Sequence, residues 1–146
     1  MNTLYPAGIP RFNHVAMSVD ADLLDDAGRA TLIDFHETVY GFTELPTMTE
    51  DRHRLVLSCC DYQQFLFLIA EEQPMRTARL DHYGLSVSSM EDFTACWERA
   101  AKYAEGDDRV VLIEPKFEDY EVLKLHSFYV GFLLPLMIEI QFWEFA

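Results

Sequence analysis

Two histidines open matching segments of this sequence. Asn13-His14-Val15-Ala16-Met17-Ser18-Val19-Asp20 is echoed by Asp81-His82-Tyr83-Gly84-Leu85-Ser86-Val87-Ser88, with His82 placed 68 residues after His14 in a chain of 146. Alternation of this kind is the period of a strand, and it sets His14, Ala16 and Ser18 on one face with Val15, Met17 and Val19 on the other. The neighbours of each histidine on its own face are small (Ala16 and Ser18, Gly84 and Ser86), which leaves room around the imidazole. Near the other end, Leu136 to Phe142 alternates so that Leu136, Ile138, Ile140 and Phe142 form a packed face, with Glu139 and Gln141 opposite. A carboxylate in the middle of a strand needs a partner, because a buried charge without one is costly. Two imidazoles and a carboxylate on rigid strands make a facial ligand set for divalent iron, and also for manganese, zinc or nickel, with open positions for substrate and for dioxygen or water. Taken singly, a strand histidine is more often a hydrogen-bonded structural residue, and Glu139 could equally pair with an arginine.

The elements that must position these residues come in two sets. After the first histidine strand, a helix is predicted within Ala21 to Tyr40, ended by Gly41 and burying Phe35 and Val39 one turn apart. After the second, Ser88 and Glu91 have the spacing of a capping box, and Phe93, Trp97, Ala100 and Ala104 fall on one stripe before Gly106. Three strand-like runs follow each helix: about Thr43 to Met48, His53 to Cys59 and Tyr62 to Ala70, then about Arg109 to Phe117, Tyr120 to Val130 and Leu134 to Trp143. The polar stretch Glu71 to Arg79, with Pro74, links the two. The expectation is therefore an α+β fold of two βαβββ modules, about 11–73 and about 80–146, within one domain spanning 1–146.

The bulk properties narrow the partners. A formal charge of −14 argues against nucleic acid or an anionic membrane, since both are bound by lysines and arginines that neutralise phosphate. Met1 to Pro10 has neither a basic start nor an apolar core, and the longest apolar run, Phe128 to Ile138, is short for a bilayer and contains Pro135, so a cytoplasmic location is expected. Three cysteines, Cys59, Cys60 and Cys96, form no even framework and read as reduced thiols, with Cys96 buried on the second helix. His126 alternates with Lys124 and Phe128 on the strand before Glu139 and is the candidate for a general acid or base, although a histidine there is more simply a packed or surface residue. His36 on the first helix and His53 between Arg52 and Arg54 read as solvent-facing.

The repeated histidine strands, the two βαβββ units and the run from Phe128-Tyr129-Val130 to Ile138-Glu139-Ile140 resemble the vicinal oxygen chelate superfamily over about Arg11 to Trp143. That superfamily includes glyoxalase I, extradiol ring-cleaving dioxygenases, fosfomycin-resistance transferases, methylmalonyl-CoA epimerase and the metal-free bleomycin-binding proteins. The resemblance implies that the modules curl into an open barrel whose cavity holds a divalent metal, with His14, His82 and Glu139 as ligands and Fe2+ favoured over Mn2+, Zn2+ or Ni2+. It implies a dioxygenase-like enzyme acting on a small, aromatic substrate with two neighbouring oxygens. The alternatives are a glyoxalase-like lyase or isomerase, or a metal-free protein that sequesters a cationic drug. It also implies a homodimer, because a short chain of this kind depends on a second subunit to complete or cover its cavity.

The fourth ligand position of the family falls on the strand that closes the first module. A gapless offset places Glu71 there, whereas alignment of the apolar runs places Ile69 there. Glu71 would make the site glyoxalase-like and Ile69 dioxygenase-like. The apolar turn Gly131-Phe132-Leu133-Leu134-Pro135-Leu136 stands where relatives carry a polar turn, and reads as a lid over substrate, as a dimer contact or as core packing.

Overall fold

The computed structural model describes residues 8–46, 52–61 and 63–146. The first module runs β1 (His14–Val19), a short 3-10 turn (Ala21–Leu24), α1 (Asp26–Tyr40), β2 (Thr43–Glu44), β3 (Arg54–Ser58) and β4 (Phe65–Ala70). The second runs β5 (His82–Ser86), α2 (Met90–Gly106), β6 (Val111–Asp119), β7 (Leu123–Gly131) and β8 (Met137–Phe145). Each module forms its own four-stranded mixed sheet, in the order β1-β4-β3-β2 and β5-β8-β7-β6, with the first and last strands of the module parallel. The double βαβββ organisation is thus present, as two open sheets that do not close into a barrel. Thr47 and Met48, at the end of one anticipated strand, and Tyr62, at the start of another, lie outside the described residues.

Local chemistry explains the helix ends. Asp25 caps α1 by accepting from the Gly28 N–H at 2.7 Å, and Gly41, at φ 74°, turns the chain away so that the N–H groups of Gly41 and Phe42 reach the carbonyls of Glu37 (2.9 Å) and His36 (3.2 Å). The cap of α2 is Ser89, one residue later than Ser88. Its hydroxyl accepts from the Asp92 N–H at 3.0 Å and donates to the Asp92 carboxylate at 2.8 Å, so Asp92 takes the place expected of Glu91.

One face of each sheet is covered by helix. Leu32, Phe35 and Val39 of α1 and Phe93, Cys96 and Ala100 of α2 are buried there, and the helices are tied by Arg99 Nε donating to the Val39 carbonyl at 2.9 Å and by Tyr103 OH donating to Asp34 at 2.7 Å. His36 is not solvent-facing but buried at 1% exposure, because its helix meets both modules. Its Nδ1–H donates to the Leu32 carbonyl at 2.7 Å, and desolvation lowers its pKa to about 4. The turn between β7 and β8 resolves as core packing and not as a lid. Phe132 lies 4.3 Å from the Phe35 ring and under the Arg109 guanidinium, while Leu133, Leu134 and Leu136 pack against the first module's core. Among the described residues no helix is long and apolar enough to cross a membrane.

Candidate functional site

The other face of each sheet carries the three candidate ligands, His14 on the first and His82 and Glu139 on the second. Parallel pairing of β5 with β8 sets Gly84 beside Glu139, and antiparallel pairing of β7 with β8 sets Tyr129 on its other side. Since side chains on paired strands share a face at each register position, His82, Gly84, Tyr129, Glu139 and Gln141 converge. A Cβ at position 84 would stand 4.0 Å from the Glu139 carboxylate, an ordinary contact distance, so the glycine adds room beside the carboxylate without being demanded by a clash.

The pair at the centre is His82 and Glu139. His82 Nδ1 lies 2.7 Å from the Leu80 carbonyl, which can only accept, so that nitrogen carries the proton. The remaining nitrogen, Nε2, faces Glu139 Oε2 at 3.3 Å. In the neutral ring both atoms are acceptors, and their approach requires a positive charge, either on the ring itself or between the two. Donors bound at about 2.0–2.2 Å to one ion, at right to tetrahedral angles, stand about 2.8–3.6 Å apart, so the pair fits as two ligands of a divalent metal.

Glu139 is held in place although only 8% exposed. Gln141 Nε2 donates to its Oε2 at 3.0 Å, and Trp143 Nε1 donates to Gln141 Oε1 at 2.9 Å. An indole N–H can only donate, so it fixes the amide with its NH2 toward the carboxylate. Tyr129 completes the surround, its ring set edge-on to His82 at 5.0 Å, and its phenol is held protonated by desolvation and by its hydrogen bond to Glu139. No arginine or lysine pairs with Glu139 among the described residues, which removes that alternative. Tyr129 joins the site through the β7–β8 register, which alternation within a single strand does not supply.

His14 occupies the matching place in the first module, exposed at the start of β1. Its ring stacks on Phe65 at 4.8 Å and its Nδ1 meets the Asn13 side-chain oxygen at 2.6 Å, so it too offers Nε2. Within one chain it does not join the other two, since no group of three or more His, Cys, Asp or Glu side chains among the described residues could hold a metal. The fourth position also resolves. His82 pairs with Met137 and Gly84 with Glu139, while His14 pairs with Phe65 and Ala16 with Phe67. The counterpart of Glu139 is therefore Phe67, neither Ile69 nor Glu71. Glu71 lies exposed past the end of β4, four residues or about 13 Å further along.

His126 is not near this site. It pairs with Phe142, three residues from Glu139 along β8 and so on the opposite face, and points to the α2 side of the sheet, where its Nε2 meets Glu144 at 2.7 Å. The proton-transfer role anticipated for it at the metal does not follow from this position. Burial pushes the Cys59 thiol up to about 12 and raises that of Cys96, so neither is poised as a nucleophile.

This is the fold of the vicinal oxygen chelate proteins. A glyoxalase/bleomycin resistance protein from Albidiferax ferrireducens superposes with a TM-score of 0.61 at 16% identity, over 90% of this chain and 98% of that one. A glyoxalase/bleomycin resistance protein/dioxygenase from Alicyclobacillus acidocaldarius gives 0.60 at 14% identity over 89% of each chain. The fosfomycin resistance protein FosX from Listeria monocytogenes gives 0.58 at 12% identity over 92% and 93%. No protein-family model and no curated protein sequence matches the chain.

Proposed function

We propose that this protein is a metal-dependent enzyme of the vicinal oxygen chelate type, dioxygenase-like, in which His82 and Glu139 of one chain and His14 of a second copy hold a divalent ion, Fe2+ before Mn2+, Zn2+ or Ni2+. The observation that carries this reading is the 3.3 Å approach of His82 Nε2 to Glu139 Oε2 with the opposite ring nitrogen committed to a carbonyl. His14 is exposed on an open sheet face, as a ligand supplied across a homodimer interface must be. When bound, the ion supplies Lewis acidity toward two neighbouring oxygens of a small substrate. The Leu80 carbonyl orients the His82 ring, and the Trp143–Gln141 chain orients the Glu139 carboxylate. Tyr129 keeps its proton and donates it in a hydrogen bond beside the substrate position. With Phe67 where a fourth carboxylate would stand, three protein ligands favour the ring-cleaving type over a glyoxalase-like lyase or isomerase. Trp143 and Phe145, exposed further along β8, offer an aromatic substrate an apolar floor.

A second reading, a binding protein that sequesters a cationic drug, is favoured by the charge of −14 and by the absence, among the described residues of one chain, of a group of three or more ligating side chains. Protein purified without a histidine tag, loaded anaerobically with Fe2+ and offered catechols in air, should produce ring-opened products detectable by their absorbance. Stoichiometric binding of an organic cation by protein that takes up no metal would establish the second reading instead.

A further inference from the structure

The reverse side of the second sheet holds a pocket that the metal reading does not use. A bulge in β6 creates it: Ile113 pairs with Tyr129 but Lys116 pairs with Ser127, so Glu114 and Pro115 fill the space of one residue. In a regular ladder Phe117 would share the face of Ile113. The extra residue turns it to the α2 side, across from His126. The resulting cavity of about 290 Å³ lies between the N-terminal half of α2 and the bulge, walled by Met90, Phe93, Trp97 and Phe117.

His126 lines this cavity with its ring 6.1 Å from Phe93, 5.7 Å from Phe117 and 5.8 Å from Phe142, and with its side chain 14% exposed. Its Nε2 sits 2.7 Å from Glu144 Oε2, and an ionised carboxylate only accepts, so Nε2 carries the proton and Nδ1 is left as the acceptor of the neutral ring. Among the described residues nothing donates to Nδ1. The volume suits one aromatic ring with a short substituent and falls just short of that of a drug-sized site. Charge selects further. Lys124 lies over the Phe117 ring, which opposes an organic cation, while Glu144 opposes a carboxylate.

We infer that this pocket is a second small-molecule site, for a neutral single-ring phenol whose ring lies among Phe93, Trp97 and Phe117 and whose hydroxyl donates to His126 Nδ1. It faces away from His82 and Glu139, so it stands whether or not the metal reading does. The test is titration of the full chain with phenol and, separately, with toluene, followed by the amide, Trp97 indole and His126 ring signals in NMR spectra. Phenol should shift the Trp97 and His126 signals saturably and bind about five- to ten-fold more tightly than toluene. His126→Phe should erase that difference while toluene still binds. Phe117→Ala, at an exposed edge position, should weaken both ligands. Absence of a saturable shift, shifts confined to Tyr129 and Trp143 on the opposite face, or equal affinity for phenol and toluene in the unaltered protein would overturn the proposal.

Discussion

His82 and Glu139 meet at 3.3 Å through the ring nitrogen that carries no proton in the neutral imidazole, because the other nitrogen donates to the Leu80 carbonyl. Two acceptors held this close by paired strands suit a cation bound between them. Glu139→Gln, which keeps the shape and removes the charge, should therefore abolish stoichiometric binding of a divalent ion while leaving the circular dichroism spectrum unchanged. Retained binding would show that the carboxylate is not a ligand.

Gln141 acts on the site only through Glu139. Gln141→Leu removes the 3.0 Å hydrogen bond and frees the carboxylate to rotate, and should weaken metal affinity by roughly 10- to 100-fold without abolishing it. Calorimetric titration with Mn2+ measures this, and an unchanged affinity would contradict the orienting role.

Glu71 separates the two alignments considered from sequence. The strand register puts Phe67 in its place and leaves Glu71 exposed beyond β4, so Glu71→Ala should leave both metal stoichiometry and affinity unchanged. A loss of binding would return Glu71 to the ligand set.

His36 gives stability a pH dependence. Its folded pKa of about 4 lies below the ordinary 6.5, so between these values the unfolded chain binds a proton that the folded chain does not. Its contribution is fully present above about pH 6.5 and is lost as pH falls toward about 4, amounting to about 3 kcal/mol. Urea unfolding of the protein and of His36→Phe across this range should show a shallower slope in the variant, and equal slopes would contradict the assignment.

Phe132 joins the two modules, with its ring 4.3 Å from Phe35 and 5.8 Å from Tyr103. Phe132→Ala should cost about 3–5 kcal/mol in urea unfolding. A loss below about 1 kcal/mol would mean that the turn is peripheral to the core.

The strand faces of the candidate site were legible because strand period 2 is strict: alternation set each histidine on the face opposite its strand's packed residues and placed Gln141 beside Glu139. The same rule, applied across β7 and β8, separates His126 from Glu139, but it needs the register, which depends on where the turn at Tyr120 to Val122 ends. The counterpart of Glu139 was missed because the second module is longer between its histidine strand and its last strand, 57 residues from His82 to Glu139 against 53 from His14 to Phe67. The reversal of Phe117 depends on a bulge at Glu114 and Pro115 that no periodicity reveals. His36 was misplaced because amphipathic spacing marks one buried stripe, whereas α1 is packed by both modules.

The proposed enzyme needs one divalent ion held by His82 and Glu139 of one chain and His14 of a second. Calorimetric titration with Mn2+ of mixed His14→Ala and Glu139→Ala chains, neither of which should bind the ion stoichiometrically alone, decides whether the site is shared. If a second copy supplies His14, the mixture regains one intact site in each mixed dimer. If the mixture binds no more metal than either variant alone, or if His14→Ala alone binds as the unaltered protein does, the shared site is contradicted.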